Sequence, residues 1–196
     1  MFSFLKKLLI KFIDNSVDSV KITDTDWEKY RQEVFYSAKN KRNFLIGNFS
    51  FKGFNYIFDA LIENTEFKLV FFIKNFESVF DKSKFEFIEY RCLKRGITVF
   101  VYTYDGKEDE RFLDLSKKYS NFKYVSLKLK DNAKTNNFIL SDYHRYWLEE
   151  YESSMVRNDM NYNGFFKACT NFYDYETVNK LMSLIEKLIC NLCIFL

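Results

Sequence analysis

The side chains best placed to do chemistry lie together in residues 135–150, TNNFILSDYHRYWLEE. This run holds the single histidine of the chain, His144, two residues after Asp142 and shortly before Glu149 and Glu150. An imidazole beside a carboxylate can take up and return a proton near neutral pH. His144 with Asp142 and Glu149 or Glu150 is therefore a candidate acid–base cluster. The plainer reading of His144 is a turn residue beside solvated carboxylates. Arg145, with Lys134 upstream and Arg157 downstream, offers a candidate anion site. The neighbouring glutamates oppose it, because they would repel a phosphate.

Other chemistries find little support. The cysteines are Cys92, Cys169, Cys190 and Cys193. The last two form a CxxC, but a zinc site needs four ligands and no second pair exists. Buried thiols in a reducing cytoplasm are the expectation, with no metal and no cofactor. There is no GxGxxG, no GxxxxGK[ST] and no GxSxG elbow. The segment Gly47-Asn48-Phe49-Ser50 follows a strand pattern, but it reads as a strand-end turn and not as a phosphate loop.

Composition sets the class. The chain has 196 residues, 47% hydrophobic and 29% charged, which suits one soluble domain with a real core. The 24 Phe and 14 Tyr, with no Pro, accompany many Lys, Asn and Ile. That combination points to an AT-rich coding sequence before it points to base stacking. With 30 basic and 27 acidic residues the net charge is +3, too balanced to argue for nucleic acid. No run approaches the ~18 apolar residues of a membrane span.

The elements that must position residues 135–150 alternate along the chain. Residues 19–23 suggest a short strand. Thr25-Asp26-Trp27-Glu28 resembles a capping box opening a helix to about Lys39. A strand over 43–49, a helix over 54–64 and the apolar strand KLVFFI over 68–73 follow. Ser83-Lys84-Phe85-Glu86 resembles a second capping box, on a helix that closes at Gly96. Strand ITVFVY over 97–102, a helix over 108–119 and a strand over 124–129 continue the pattern. Residues 138–140 and 146–148 then form a strand pair with no helix between them. Residues 152–165 read as a polar loop, 167–172 as a short strand, and the chain ends in an amphipathic helix from about Tyr175. Strands between helices imply crossovers, hence an α/β fold with a mixed, mostly parallel sheet covered by helices on both faces.

This order of elements resembles one lobe of the phospholipase D-like superfamily, over about residues 18–190. Members carry HxKxxxxD on a strand and turn late in the lobe. The resemblance implies a His that attacks phosphorus, a Lys that binds the phosphoryl oxygens and an Asp that supports the histidines. Placed on the strand Phe138-Ile139-Leu140 and its turn, the motif puts Thr135 at the His position, Asn137 at the Lys position and Asp142 at the Asp position. Only Asp142 matches, and Leu148-Glu149-Glu150 stands where a Gly-Ser segment is usual. Thr135 cannot form a phosphohistidine, and Asn137 brings no positive charge. Active members combine two such motifs, so this single lobe could act only as a homodimer.

The expected architecture is an amphipathic N-terminal helix over 1–16 and a single α/β domain over 17–196. Leu5, Leu8, Leu9, Phe12 and Ile13 share a face of that helix, with Lys6, Lys7 and Lys11 largely outside it. The stripe either packs on the domain, against the C-terminal helix, or lies weakly on an anionic membrane surface. The first is favoured, and the run carries no signal-peptide pattern. The functional expectation is a catalytically degenerate phospholipase D-like module with binding or regulatory use, cytoplasmic or peripheral to the inner membrane face. A protein partner or a homodimer is expected. Two alternatives remain: a homodimeric phosphodiesterase or nuclease using His144 with Asp142, and a peripheral membrane protein held by the N-terminal helix.

Overall fold

A computed structural model describes residues 24–48, 51–74, 82–129, 135–149 and 168–193. Its helices are α1 (Asp24–Lys39), α2 (Phe51–Asn64), α3 (Lys82–Arg91), α4 (Glu110–Lys118) and α5 (Tyr175–Cys193). Its strands are β1 (Ile46–Asn48), β2 (Lys68–Ile73), β3 (Thr98–Thr103), β4 (Phe122–Ser126), β5 (Phe138–Ser141), β6 (Arg145–Glu149) and β7 (Ala168–Asn171). The expected strand over 19–23, the N-terminal stripe from Leu5 to Ile13, Lys134, Glu150, Arg157 and the loop over 152–165 lie outside the described residues.

The seven strands form one sheet in the order β1-β7-β6-β5-β2-β3-β4. The α/β class and the helices on both faces are as expected, but the sheet is not mostly parallel. Only β2–β3 and β3–β4 pair parallel; β2–β5, β5–β6, β6–β7 and β7–β1 all pair antiparallel. The reason lies in the connections. Helices α3 and α4 each carry the chain back to start the next strand in the same direction, whereas β5 and β6 are joined by a tight turn. Strand β1 then lies at the sheet edge beside β7, a pairing between residues far apart in the chain.

Alternation along the strands separates two cores. Leu69, Phe71 and Ile73 of β2 point to one face, with Val99, Val101, Ile139 and Trp147. There they meet α1 through Val34 and Ala38, α2 through Phe54, Phe58 and Leu61, α3 through Ile88 and α4 through Phe112. Val70, Phe72, Phe138, Leu140, Tyr146 and Leu148 point to the other face, against Val178, Leu181 and Ile185 of α5. Burial on both faces explains why β2 reads as a continuous apolar run.

Helix ends largely follow the sequence signals. A 3-10 turn over Leu93–Arg95 closes on Gly96, whose φ of 79° lets its N–H reach the Leu93 carbonyl. Asp109 caps α4 by accepting from the Arg111 amide. The two capping boxes fall differently: α1 and α3 begin at Asp24 and Lys82, so Thr25 and Ser83 lie inside their helices. Cys92 and Cys169 are buried, as expected, and burial pushes the Cys92 thiol up to about 12. Among the described residues no helix is long and apolar enough to cross a membrane, and no His, Cys, Asp and Glu side chains gather as a metal site.

Candidate functional site

The β5–β6 hairpin carries the candidate residues and distributes them to opposite ends of the sheet. Its turn, Asp142-Tyr143-His144, sits beside the start of β2, because Ser141 pairs with Leu69. Its open end, with Asn137 and Glu149, sits beside the finish of β2. His144 and Glu149 are thus five residues apart along a strand direction, roughly 16 Å at strand rise.

At the turn end Asp142 adopts a left-handed backbone, φ 55°, which Asp tolerates better than most residues. That geometry aims its carboxylate at the α2–β2 connection. One oxygen, Oδ1, accepts from the amides of Phe67 at 2.9 Å and Lys68 at 3.1 Å, and Oδ2 lies 3.2 Å from the Glu66 amide. Oδ2 also receives the Arg145 Nη1 donor at 2.7 Å. The Asp142 amide donates to the Lys68 carbonyl at 2.7 Å, completing a two-way clasp. Beneath it the hydroxyls of Thr65 and Ser141 meet at 2.8 Å. Three converging amides and a guanidinium form a nest for a negative charge, and the protein's own carboxylate fills it.

The Asp142 carboxylate is thus turned to these amides and to Arg145. His144 Nε2 has no hydrogen-bond partner among the described residues. The imidazole is buried, lying 5.4 Å from the Tyr173 ring and 5.3 Å from the Tyr175 ring. Burial pushes its pKa down, and the nearby Arg145 guanidinium pushes the same way. The sequence reading of His144 as an exposed turn residue is corrected here, because α5 starts directly over it. Arg145 is likewise buried, with its Nη1 paired to Asp142 at 2.7 Å.

The opposite end is where open α/β sheets bind ligands, at the carboxyl ends of parallel strands. Here the Asn137 amide makes three hydrogen bonds within the protein. Its Oδ1 accepts from the Lys74 amide at 2.8 Å and from the Tyr104 hydroxyl at 2.8 Å. Its Nδ2 donates to Glu149 Oε2 at 2.7 Å, and Glu149 is buried. Asn137 thus ties the ends of β2, β3 and β6 together. Thr135 lies two residues before Asn137, and its buried hydroxyl has no hydrogen-bond partner among the described residues. Nothing local in the sequence marks Lys74 and Tyr104 as partners of Asn137; only the pairing of β2 with β3 and β5 brings them there.

Of the candidate acid–base set, the structure brings Asp142, His144 and Arg145 to one end and places Glu149 at the other. Thr135, Asn137 and Glu149 share that other end, which is the end the resemblance would make catalytic.

No protein-family model matches the chain, and no curated protein matches it in sequence. Solved structures do match in fold. NucT from Helicobacter pylori superposes with a TM-score of 0.54 at 15% identity, over 74% of this chain and 96% of its own. Nuc from Salmonella typhimurium, a phospholipase D family member, gives 0.51 at 8% identity, over 74% and 93%. TrmBL2, an archaeal chromatin protein with a novel mode of DNA binding, gives 0.53 at 9% identity and covers 95% of this chain. This chain spans 58% of the TrmBL2 chain. The fold is phospholipase D-like.

Proposed function

We propose that this chain is a binding module of the phospholipase D-like fold that performs no phosphoryl transfer. One observation carries the reading: the amide at the position of the family's phosphate-binding lysine is engaged by the protein itself. Asn137 accepts from Lys74 and Tyr104 and donates to Glu149. A phosphoryl group arriving there would meet a buried carboxylate in place of an ammonium. Thr135, at the nucleophile's position, hydrogen-bonds to no base among the described residues and has no imidazole to form a covalent intermediate. The DNA binding of TrmBL2 is consistent with binding uses of this fold. The charge balance of +3 gives no argument for nucleic acid as the ligand of this chain.

The test is hydrolysis. Purified protein is incubated with bis(p-nitrophenyl) phosphate, with oligonucleotides and with phosphatidylcholine vesicles. The expected result is no turnover above buffer. Turnover that survives purification and disappears in His144→Ala would overturn the reading in favour of a diverged phosphodiesterase using His144.

A further inference from the structure

The turn end of the sheet has a second property that its hydrogen bonds do not explain. Eight large apolar side chains are exposed among the described residues. Six of them, Tyr36, Phe44, Phe67, Tyr143, Tyr173 and Tyr175, gather at this end, each 38–64% exposed. Contacts link four of them, Tyr36, Phe44, Tyr173 and Tyr175, into a belt. Arg42 lies over the rings of both Tyr36 and Phe44, at 5.6 and 5.9 Å. Asn43, beside Phe44, accepts from Asn171, two residues before Tyr173. Tyr173 and Tyr175 pack edge to face at 5.2 Å, with His144 against both. Phe67 and Tyr143 flank the Asp142 clasp.

We propose that this aromatic end is a self-association surface, on which a second copy of the chain docks through a two-fold axis. Three observations favour that occupant. First, the exposed parts of the six rings amount to about three whole aromatic side chains, on the order of 600 Å². A stable two-fold dimer needs about 800 Å² on each copy, so the rings alone supply most of it. Second, the surface is pre-organised. Tyr143 and Phe67 stand on a buried ion pair and a nest of amides, so little freedom is lost when they dock. Third, the charge is of mixed sign. Lys41 meets Glu66 at 4.0 Å and Arg42 meets Glu33 at 2.8 Å, while Asp174 and Glu176 stand beside Tyr173 and Tyr175. A two-fold arrangement can set the Lys41 side of one copy against the Asp174 side of the other. A stacking platform for single-stranded nucleic acid would need a basic groove beside its rings, whereas Lys41 and Arg42 are each paired here with a glutamate.

The surface lies opposite the Asn137–Glu149 end, so the proposal does not depend on the reading of that end. Its consequence for chemistry is separate: copies joined here hold their Asn137 ends apart.

Sedimentation velocity over a range of concentrations tests it. The wild-type chain is expected at twice its 23.8 kDa mass. The double variant Tyr143→Glu, Tyr175→Glu is expected at one-copy mass with an unchanged circular dichroism spectrum. Should that variant misfold, Tyr36→Lys with Phe44→Lys changes two half-exposed rings and must still weaken association at least tenfold. A wild type of one-copy mass at every attainable concentration overturns the proposal, as does a folded variant that stays dimeric. One-copy wild type whose tyrosine fluorescence is quenched by a single-stranded oligonucleotide would overturn it too, and would assign the belt to base stacking.

Discussion

The Asp142 carboxylate and the Arg145 guanidinium meet at 2.7 Å with side chains only 2–3% exposed. The pair closes the β5–β6 turn, and the same carboxylate reaches the amides of residues 66–68, some 75 positions earlier in the chain. The one carboxylate that matches the family motif is the joint between two turns.

Removing one partner strands the other. Asp142→Ala leaves a buried guanidinium uncompensated and three amides without their acceptor, and should cost about 3–5 kcal/mol in urea denaturation. Asp142→Asn keeps an acceptor and tolerates the left-handed backbone, so it should cost less. Equal losses from the two variants would mean that the amides contribute nothing.

The Asn137 cluster should behave as a tie and not as a reagent. Asn137→Ala leaves the Lys74 amide, the Tyr104 hydroxyl and the Glu149 carboxylate short of a partner. Each unsatisfied group costs about 1–3 kcal/mol, so a lowered denaturation midpoint is expected. Glu149→Gln keeps an acceptor for Asn137 Nδ2 and should be milder than Glu149→Ala. A wild-type midpoint for Asn137→Ala would show the cluster to be slack.

Acidification should weaken the fold through His144. Its pKa is held below 6.5 by burial first and by Arg145 and Lys41 next, against the opposing pull of Asp142 and Glu66. Above 6.5 the imidazole is neutral in folded and unfolded chains alike, and its contribution is complete. As pH falls through 6.5 the unfolded chain takes up a proton that the folded chain resists, so stability falls until the folded pKa is passed. His144→Gln should flatten that part of the stability curve, measured by denaturation between about pH 5 and 8. An unchanged slope would exclude His144 as the source.

Gly96 isolates backbone strain from packing. A Cβ there would meet no atom within 4 Å, yet φ is 79°. Gly96→Ala should therefore cost about 1–2 kcal/mol through conformation alone. A neutral result would mean that the 3-10 turn relaxes.

Much of the fold is legible in the residues. Continuous apolar character in KLVFFI pointed to a strand covered on both faces, and β2 is buried on both. Gly96 and the basic residues before it marked a helix end. The absence of a helical pattern between 138–140 and 146–148 marked the antiparallel hairpin. Thr135 and Asn137 were legible as the loss of a nucleophile and a phosphate lysine, because side-chain chemistry is local.

Neighbours were not legible. Alternation says which face a residue points to, and says nothing about which strand lies beside it. It could not pair β1 with β7, nor make four of the six pairings antiparallel. Nor could it show that Asp142 turns to the amides of residues 66–68 while Glu149 turns to Asn137 at the other end. The aromatic belt draws on residues 36–175, and only the folded sheet gathers them. Sequence alone determined the chemical character of each position and the order of the elements. The tertiary structure decided which polar groups meet, because buried hydrogen bonds and ion pairs form between segments that the chain itself keeps far apart.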